Sequence, residues 1–217
     1  MLSFRRLSAS CVDQSHGVIS FPSNLDLPFL PPSSRLLRYV GRWYQVYADL
    51  ATTAFESNYC VVADYGVFAN GTVSVRNRDR LGSVTGAQNG ILGWASINNR
   101  TGITTSDGSL SVYLQVPPPA PQGFAAPYDV VLLGPMTHGP LGLYEYAVVT
   151  DPFELTLFVL ARDVNTFFEK YNRTVFETLE ADGFINVVNK PRLTNQAGCA
   201  EYSETDLWTC DVHDVTE

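Results

Sequence analysis

The sequence predicts an all-β protein: an eight-stranded antiparallel up-and-down barrel with one C-terminal α-helix packed on its outside. Three observations carry that expectation. Eight short strand-like runs follow one another, at about 43–49, 59–68, 72–79, 90–97, 109–116, 128–133, 143–150 and 155–161, bounded by turn residues. Short turns between them suit a barrel that closes on itself. A helix-spaced apolar stripe comes only after the eighth run. The 217 residues are 45% hydrophobic and 17% charged, which is enough to bury a core and argues against disorder of the whole chain.

Residues 1–34 read as an extended arm, because Pro22, Pro28, Pro31 and Pro32 lack the N–H that a sheet ladder needs. Leu36-Leu37-Arg38-Tyr39 then makes one helical turn that closes the barrel floor. The first run opens on Gly41-Arg42-Trp43, a flexible entry that lets a large ring plug that floor. Along it Trp43, Gln45 and Tyr47 share a face. In the second run the charge of Asp64 puts Cys60, Val62 and Asp64 outside, so Val61, Ala63, Tyr65 and Val67 face inwards.

Asn70-Gly71 is a strong hairpin signal and Asp107-Gly108 is another. Val73, Val75, Asn77 and Asp79 make the interior face of the third run, opposite Ser74, Arg76 and Arg78. Pro117-Pro118-Pro119-Ala120-Pro121 makes a long connection before the sixth run. In the seventh run Tyr144, Tyr146 and Val148 oppose Glu145 and are assigned to the interior. In the eighth, Phe158 and Leu160 share the face of Arg162. From Val164 to Asp182 the apolar positions Phe167, Phe168, Tyr171, Val175, Phe176 and Leu179 recur at helical spacing, with Asp163 or Asn165 as cap and Gly183 as stop. Barrel and helix thus occupy 35–185, and 186–217 forms a strap across the outside.

The Gly41-x-Trp43 entry and the arginine closing Phe158-Val159-Leu160-Ala161-Arg162 resemble the two signature elements of the lipocalin family. Trp43 and Arg162 would pair as ring and cation, worth roughly 0.5–2 kcal/mol. Gly41-Arg42-Trp43-Tyr44, the Asn70-Gly71 turn, Ala126-Pro127-Tyr128 and the Arg162 segment look most like the apolipoprotein D and bacterial-lipocalin branch. The resemblance implies a carrier enclosing a small hydrophobic ligand, of the fatty acid, retinoid, steroid, carotenoid or bilin class. Gly41, Trp43 and Arg162 are then structural. Gln45, Tyr47, Tyr65, Val75, Asn77, Tyr128, Tyr146 and Phe158 are the ligand candidates, since a few polar groups in an apolar cup orient what it holds.

Cysteine chemistry points to an oxidising compartment. Cys11, Cys60, Cys199 and Cys210 contain no C-x-x-C pair, which favours two disulfides over a zinc or redox motif. Cys60 faces outwards, where the strap would pass, and Cys199 is its expected mate; by elimination Cys11 joins Cys210. The sequons at Asn70, Asn99 and Asn172 also suit a secreted protein, although Met1-Leu2-Ser3-Phe4-Arg5-Arg6 lacks the apolar core of a signal peptide. The net charge of −8 argues against nucleic acid or an anionic membrane surface as partner. No apolar run is long enough to span a membrane.

A monomer or weak homo-oligomer is expected. His16, His138 and His213 are scattered, and neither a metal motif nor a nucleotide-binding loop is present. No cofactor is required, and a bound pigment or lipid is the occupant the resemblance implies. The alternative is an enzyme on the same fold, an isomerase or epoxide-opening activity using interior Asp79, Asn77 or a tyrosine.

Overall fold

The structure is a computed structural model that describes residues 34–53, 58–68, 72–97, 108–115, 125–185 and 190–202. Residues 29–200 form one compact unit. A second unit, 1–28 with 201–217, includes only 201 and 202 among the described residues. Residues 1–33 of the expected 1–34 arm and the Cys11–Cys210 bond therefore lie outside the described residues, as do Asn70 and Asn99, while Ser34 opens a helix.

A four-residue helix, α1 (Ser34–Leu37), leads into β1 (Gly41–Ala48), and a second short helix, α2 (Leu50–Thr53), follows. The strands β2 (Val62–Val67), β3 (Val73–Arg80), β4 (Gln88–Ile97), β5 (Ser109–Leu114) and β6 (Ala125–Leu133) come next. A small hairpin, β7 (Met136–His138) with β8 (Leu143–Tyr144), precedes β9 (Tyr146–Thr150) and β10 (Leu157–Ala161). Each barrel strand pairs antiparallel with the next, in the order β10-β9-β6-β5-β4-β3-β2-β1, and β10 pairs with β1 to close the ring. The eight-stranded up-and-down barrel expected from the runs is what forms.

Several strands depart from their expected bounds, and for β2 and β10 the local reason is plain. Cys60 sits at φ 57°, so β2 starts only at Val62. The Asp151 carboxylate accepts from the backbone N–H groups of Phe153, Leu155 and Thr156, which bends 151–156 into a loop and delays β10 to Leu157. The expected Asp107-Gly108 turn lies outside the described residues except for Gly108. The Gly108 carbonyl accepts from Val130 N–H, prolonging the β5–β6 ladder.

The outer helix is built in three pieces: α3 (Val164–Thr166), a π-helical turn Phe167–Tyr171, and α4 (Asn172–Ala181). The Asp163 side chain accepts from Thr166 N–H as N-cap, and Gly183 at φ 77° supplies the left-handed residue that ends the helix. Phe167, Val175 and Leu179 are buried against Val46, Tyr146, Val148, Leu157, Val159 and Ala161. The outer face of β1, β9 and β10 is thus a second core, beneath the helix rather than in water. On β2 and β3 the outer wall carries an ion-paired cluster, while β4 and β6 expose Trp94, Ile97, Val131 and Leu133. Asp64 is held by Arg42 at 2.8 Å and Arg78 at 2.6 Å. Burial pushes its carboxyl up, but the hydrogen bonds and charges of the two arginines outweigh that and leave it below the usual carboxylate range.

The described part of the strap lies on β1. Cys60 and Cys199 form a disulfide. Strand β11 (Arg192–Leu193) pairs with Ala48 and Tyr47, and Thr194 N–H donates to the Val46 carbonyl. Among the described residues no helix is long and apolar enough to cross a membrane.

Candidate functional site

The floor is fixed by one cation. The Arg162 guanidinium carbon lies 3.7 Å from the centre of the Trp43 ring. Its N–H groups donate to the carbonyls of Arg42 (2.7 Å), Val40 (2.8 Å), Tyr39 (2.9 Å), Arg38 (3.3 Å) and Tyr144 (3.3 Å). Burial pulls its pKa down to about 10, still protonated at neutral pH. Gly41 is required here: it sits at φ 98°, and a Cβ would come within 3.2 Å of the Arg162 guanidinium. Trp43 is fully buried, and its indole N–H donates to the Tyr39 carbonyl at 2.7 Å.

Above this floor the barrel encloses a cavity of about 160 Å³. Its wall is mostly aliphatic, with Ala63, Val73, Val75, Ala95, Leu110, Val112, Leu114 and Leu160 from five strands, Val61 just before β2, plus Phe158 and, from α1, Leu36. The polar side chains among its lining are Gln45, Asn77, Tyr39, Tyr65 and Tyr128. The three phenols form a chain: Tyr39 Oη to Tyr128 Oη at 2.7 Å, and Tyr65 Oη to Tyr128 Oη at 3.2 Å. Burial pushes the Tyr39 and Tyr128 hydroxyls well above the ordinary tyrosine range, so they are neutral phenols at physiological pH. Gln45 donates through Nε2 to Thr194 Oγ1 of the strap at 3.1 Å. Asn77 Oδ1 is buried and has no hydrogen-bond partner.

Of the expected ligand candidates, Gln45, Tyr65, Val75, Asn77, Tyr128 and Phe158 therefore line one cavity. Tyr47 and Tyr146 do not. A bulge between Gln45 and Tyr47 breaks the β1 register against β10 and swings Tyr47 outwards. There its ring centre is 4.9 Å from that of Phe176, and its hydroxyl donates to Asn172 Oδ1 at 3.1 Å. Tyr146 leaves the interior because strand pairing is interrupted at Glu145, whose N–H donates to Pro135 and whose carbonyl accepts from Arg162. Tyr144 stays with the inner cluster, while Tyr146 and Val148 pack under the helix and Ala147 and Val149 take the inner face. Asp79 is buried but does not line the cavity. The alternation of Leu110, Val112 and Leu114 with Ser111 and Tyr113 could have located the β5 wall from sequence. Tyr39 carried no such signal, since it belongs to the turn before β1. Among the described residues no cluster of His, Cys, Asp and Glu is placed to hold a metal ion.

A family model described as a lipocalin domain matches residues 31–210. Among solved structures the chain is similar to lobster apocrustacyanin A1, at 17% identity over 76% of this chain and 82% of that one, with a TM-score of 0.48. It is also similar to Per a 4, a major allergen from cockroaches, at 12% identity over 75% and 88%, TM-score 0.49. A third is H1 crustacyanin from the lobster Homarus americanus, at 16% over 73% and 77%, TM-score 0.46. No curated protein matches the chain.

Proposed function

This chain belongs to the lipocalin family, and from that premise we propose that it is a carrier holding one compact, largely apolar molecule inside the barrel. The single observation that supports this most is the cavity of about 160 Å³, walled by aliphatic and aromatic side chains and bordered by a few polar ones. An apolar cavity of comparable size, about 150 Å³, accepts a single aromatic ring. Among the classes expected of the ligand, a small or slender molecule suits this space better than a carotenoid or a bilin. Burying its apolar surface contributes roughly 25 cal/mol per Å².

The enzyme alternative has less support. Asp79, its proposed acid or base, is not in the cavity wall, and the tyrosine hydroxyls there are pushed towards weaker acidity by burial. Kinship with the apolipoprotein D branch rests on the Gly41–Tyr44, Ala126–Tyr128 and Phe158–Arg162 segments. Secretion is the companion proposal, supported by the Cys60–Cys199 disulfide; glycans on Asn70, Asn99 and Asn172 would accompany it.

Titration calorimetry with ethylbenzene, a neutral one-ring probe, tests the carrier reading. One molecule should bind per chain. Phe158→Glu, which sets an unpaired charge in the apolar wall, should weaken binding more than about tenfold. Trp94→Ala, on the exposed outer wall, should leave it unchanged. No saturable binding, or equal affinity in the two variants, would sink the reading.

A further inference from the structure

The cavity's polar groups are not equivalent. Gln45 is engaged by Thr194, and Tyr39, Tyr65 and Tyr128 bond to one another. Asn77 Oδ1 is the exception: it is buried and accepts nothing. Asn77 stands on β3 directly opposite Ala63 on β2, and both residues line the cavity. An orphaned buried acceptor is costly, which makes it a poor choice for mere packing in a wall whose neighbours are valines. Charge is the second half of the pattern. No Lys, Arg, Asp or Glu among the described residues lines the cavity. Arg162, the cation of the floor, is taken up by five backbone carbonyls and the Trp43 ring. An ionised carboxylate entering this space would lose its water and find no cation in the wall to bond to. The Arg162 charge is felt by Tyr39 and Tyr65, but its N–H groups are given to backbone carbonyls.

We propose that the ligand is an uncharged molecule bearing a hydroxyl or N–H group, which donates a hydrogen bond to Asn77 Oδ1, and that carboxylate lipids are excluded in their ionised form. This rests on the carrier reading above and specifies its ligand. It removes fatty-acid anions and acidic bilins from the candidate classes and keeps alcohols, phenols and small neutral amines or amides. The specificity is set by one amide on one strand. The ligand's donor supplies what the wall lacks, and its ring or chain fills the aliphatic remainder.

The test is a matched set of one-ring probes in calorimetry at pH 7.5: 4-ethylphenol, 4-ethylanisole and 4-ethylbenzoate. The phenol should bind about five- to tenfold tighter than the ether, which accepts but cannot donate. The benzoate should bind at least a hundredfold more weakly than the phenol, its affinity rising about tenfold for each unit of pH lowered towards the acid's own pKa. Asn77→Leu should erase the gap between phenol and ether, and an unchanged circular dichroism spectrum with a cooperative thermal transition shows that the variant is folded. Because Leu removes the orphaned acceptor, the ligand-free variant should melt roughly 2–8 °C higher than the parent. Benzoate binding as tightly as the phenol overturns the proposal, as does a phenol preference that survives Asn77→Leu. In both cases saturable ethylbenzene binding would leave the carrier reading standing; if ethylbenzene and the whole set fail to bind, both fall.

Discussion

Arg162 shows how much one side chain can organise. A planar guanidinium with several donors reaches carbonyls on both sides of the β1 entry and still lies flat on an indole. Lysine offers one point charge and cannot serve these acceptors together. Arg162→Ala should leave several buried carbonyls without a donor and destabilise by about 3 kcal/mol or more, roughly 6–12 °C in melting temperature. Arg162→Lys should recover only part of that loss. Ethylbenzene affinity measured well below the melting point should change little in either variant. A variant that melts normally yet loses the probe would show that the floor residue touches the ligand instead. The pairing was legible because both partners stand at the ends of strand-like runs, Trp43 after a glycine and Arg162 after an apolar stretch.

At the level of elements, alternation succeeded where one face meets the cavity and the other meets water. The middles of β2 and β3 follow it, with Ala63, Tyr65, Val75 and Asn77 inside and Asp64 and Arg78 paired outside, whereas Val62, expected outside, also lines the cavity and Asp79, expected inside, does not. It failed where both faces are apolar. Val46 and Tyr47 lie together under the helix because a bulge adds one residue to β1, and a bulge leaves no mark in a hydrophobicity pattern. The same holds for Tyr146, whose neighbour Glu145 looked like an ordinary outward residue but interrupts the strand pairing. Tyr47 is also where the helix is held. Its ring meets Phe167, Phe168 and Phe176 across the π-helical turn, and its hydroxyl meets Asn172. Tyr47→Ala should therefore cost about 3 kcal/mol and raise hydrogen exchange selectively over 164–181, while ethylbenzene affinity stays at the parent value. Lost affinity without faster exchange would restore Tyr47 to the cavity.

For the whole molecule, the Cys60–Cys199 bond spans 139 residues of chain. In the chain-entropy account a loop of that length is worth about 5 kcal/mol, with less delivered in practice. Cys199→Ser should lower the melting temperature in non-reducing buffer, and a reductant should then have no further effect attributable to this bond. That pairing could be read from the sequence because parity set Cys60 outwards. What the strap does with the rest of its length could not, since Gln196 and Thr194 act through backbone carbonyls of β1 and of Val61, just before β2, that no side-chain pattern announces.

A closed ring has no free margin, but this one nearly does. Strand β2 pairs with β1 only over Gly41–Tyr44, and beyond that point β1 would offer bare carbonyls to any extended peptide. Instead Gln196 donates to the Gln45 and Val61 carbonyls at 2.9 and 2.7 Å, Thr194 N–H takes the Val46 carbonyl, and β11 covers Tyr47 and Ala48. The strap therefore guards an edge as well as adding stability, and an unguarded edge is a template for strand addition. When Cys199→Ser releases it, sedimentation should reveal association that grows with protein concentration, before any loss of the barrel's secondary structure. The disulfide would then keep the protein solitary as much as it keeps it folded.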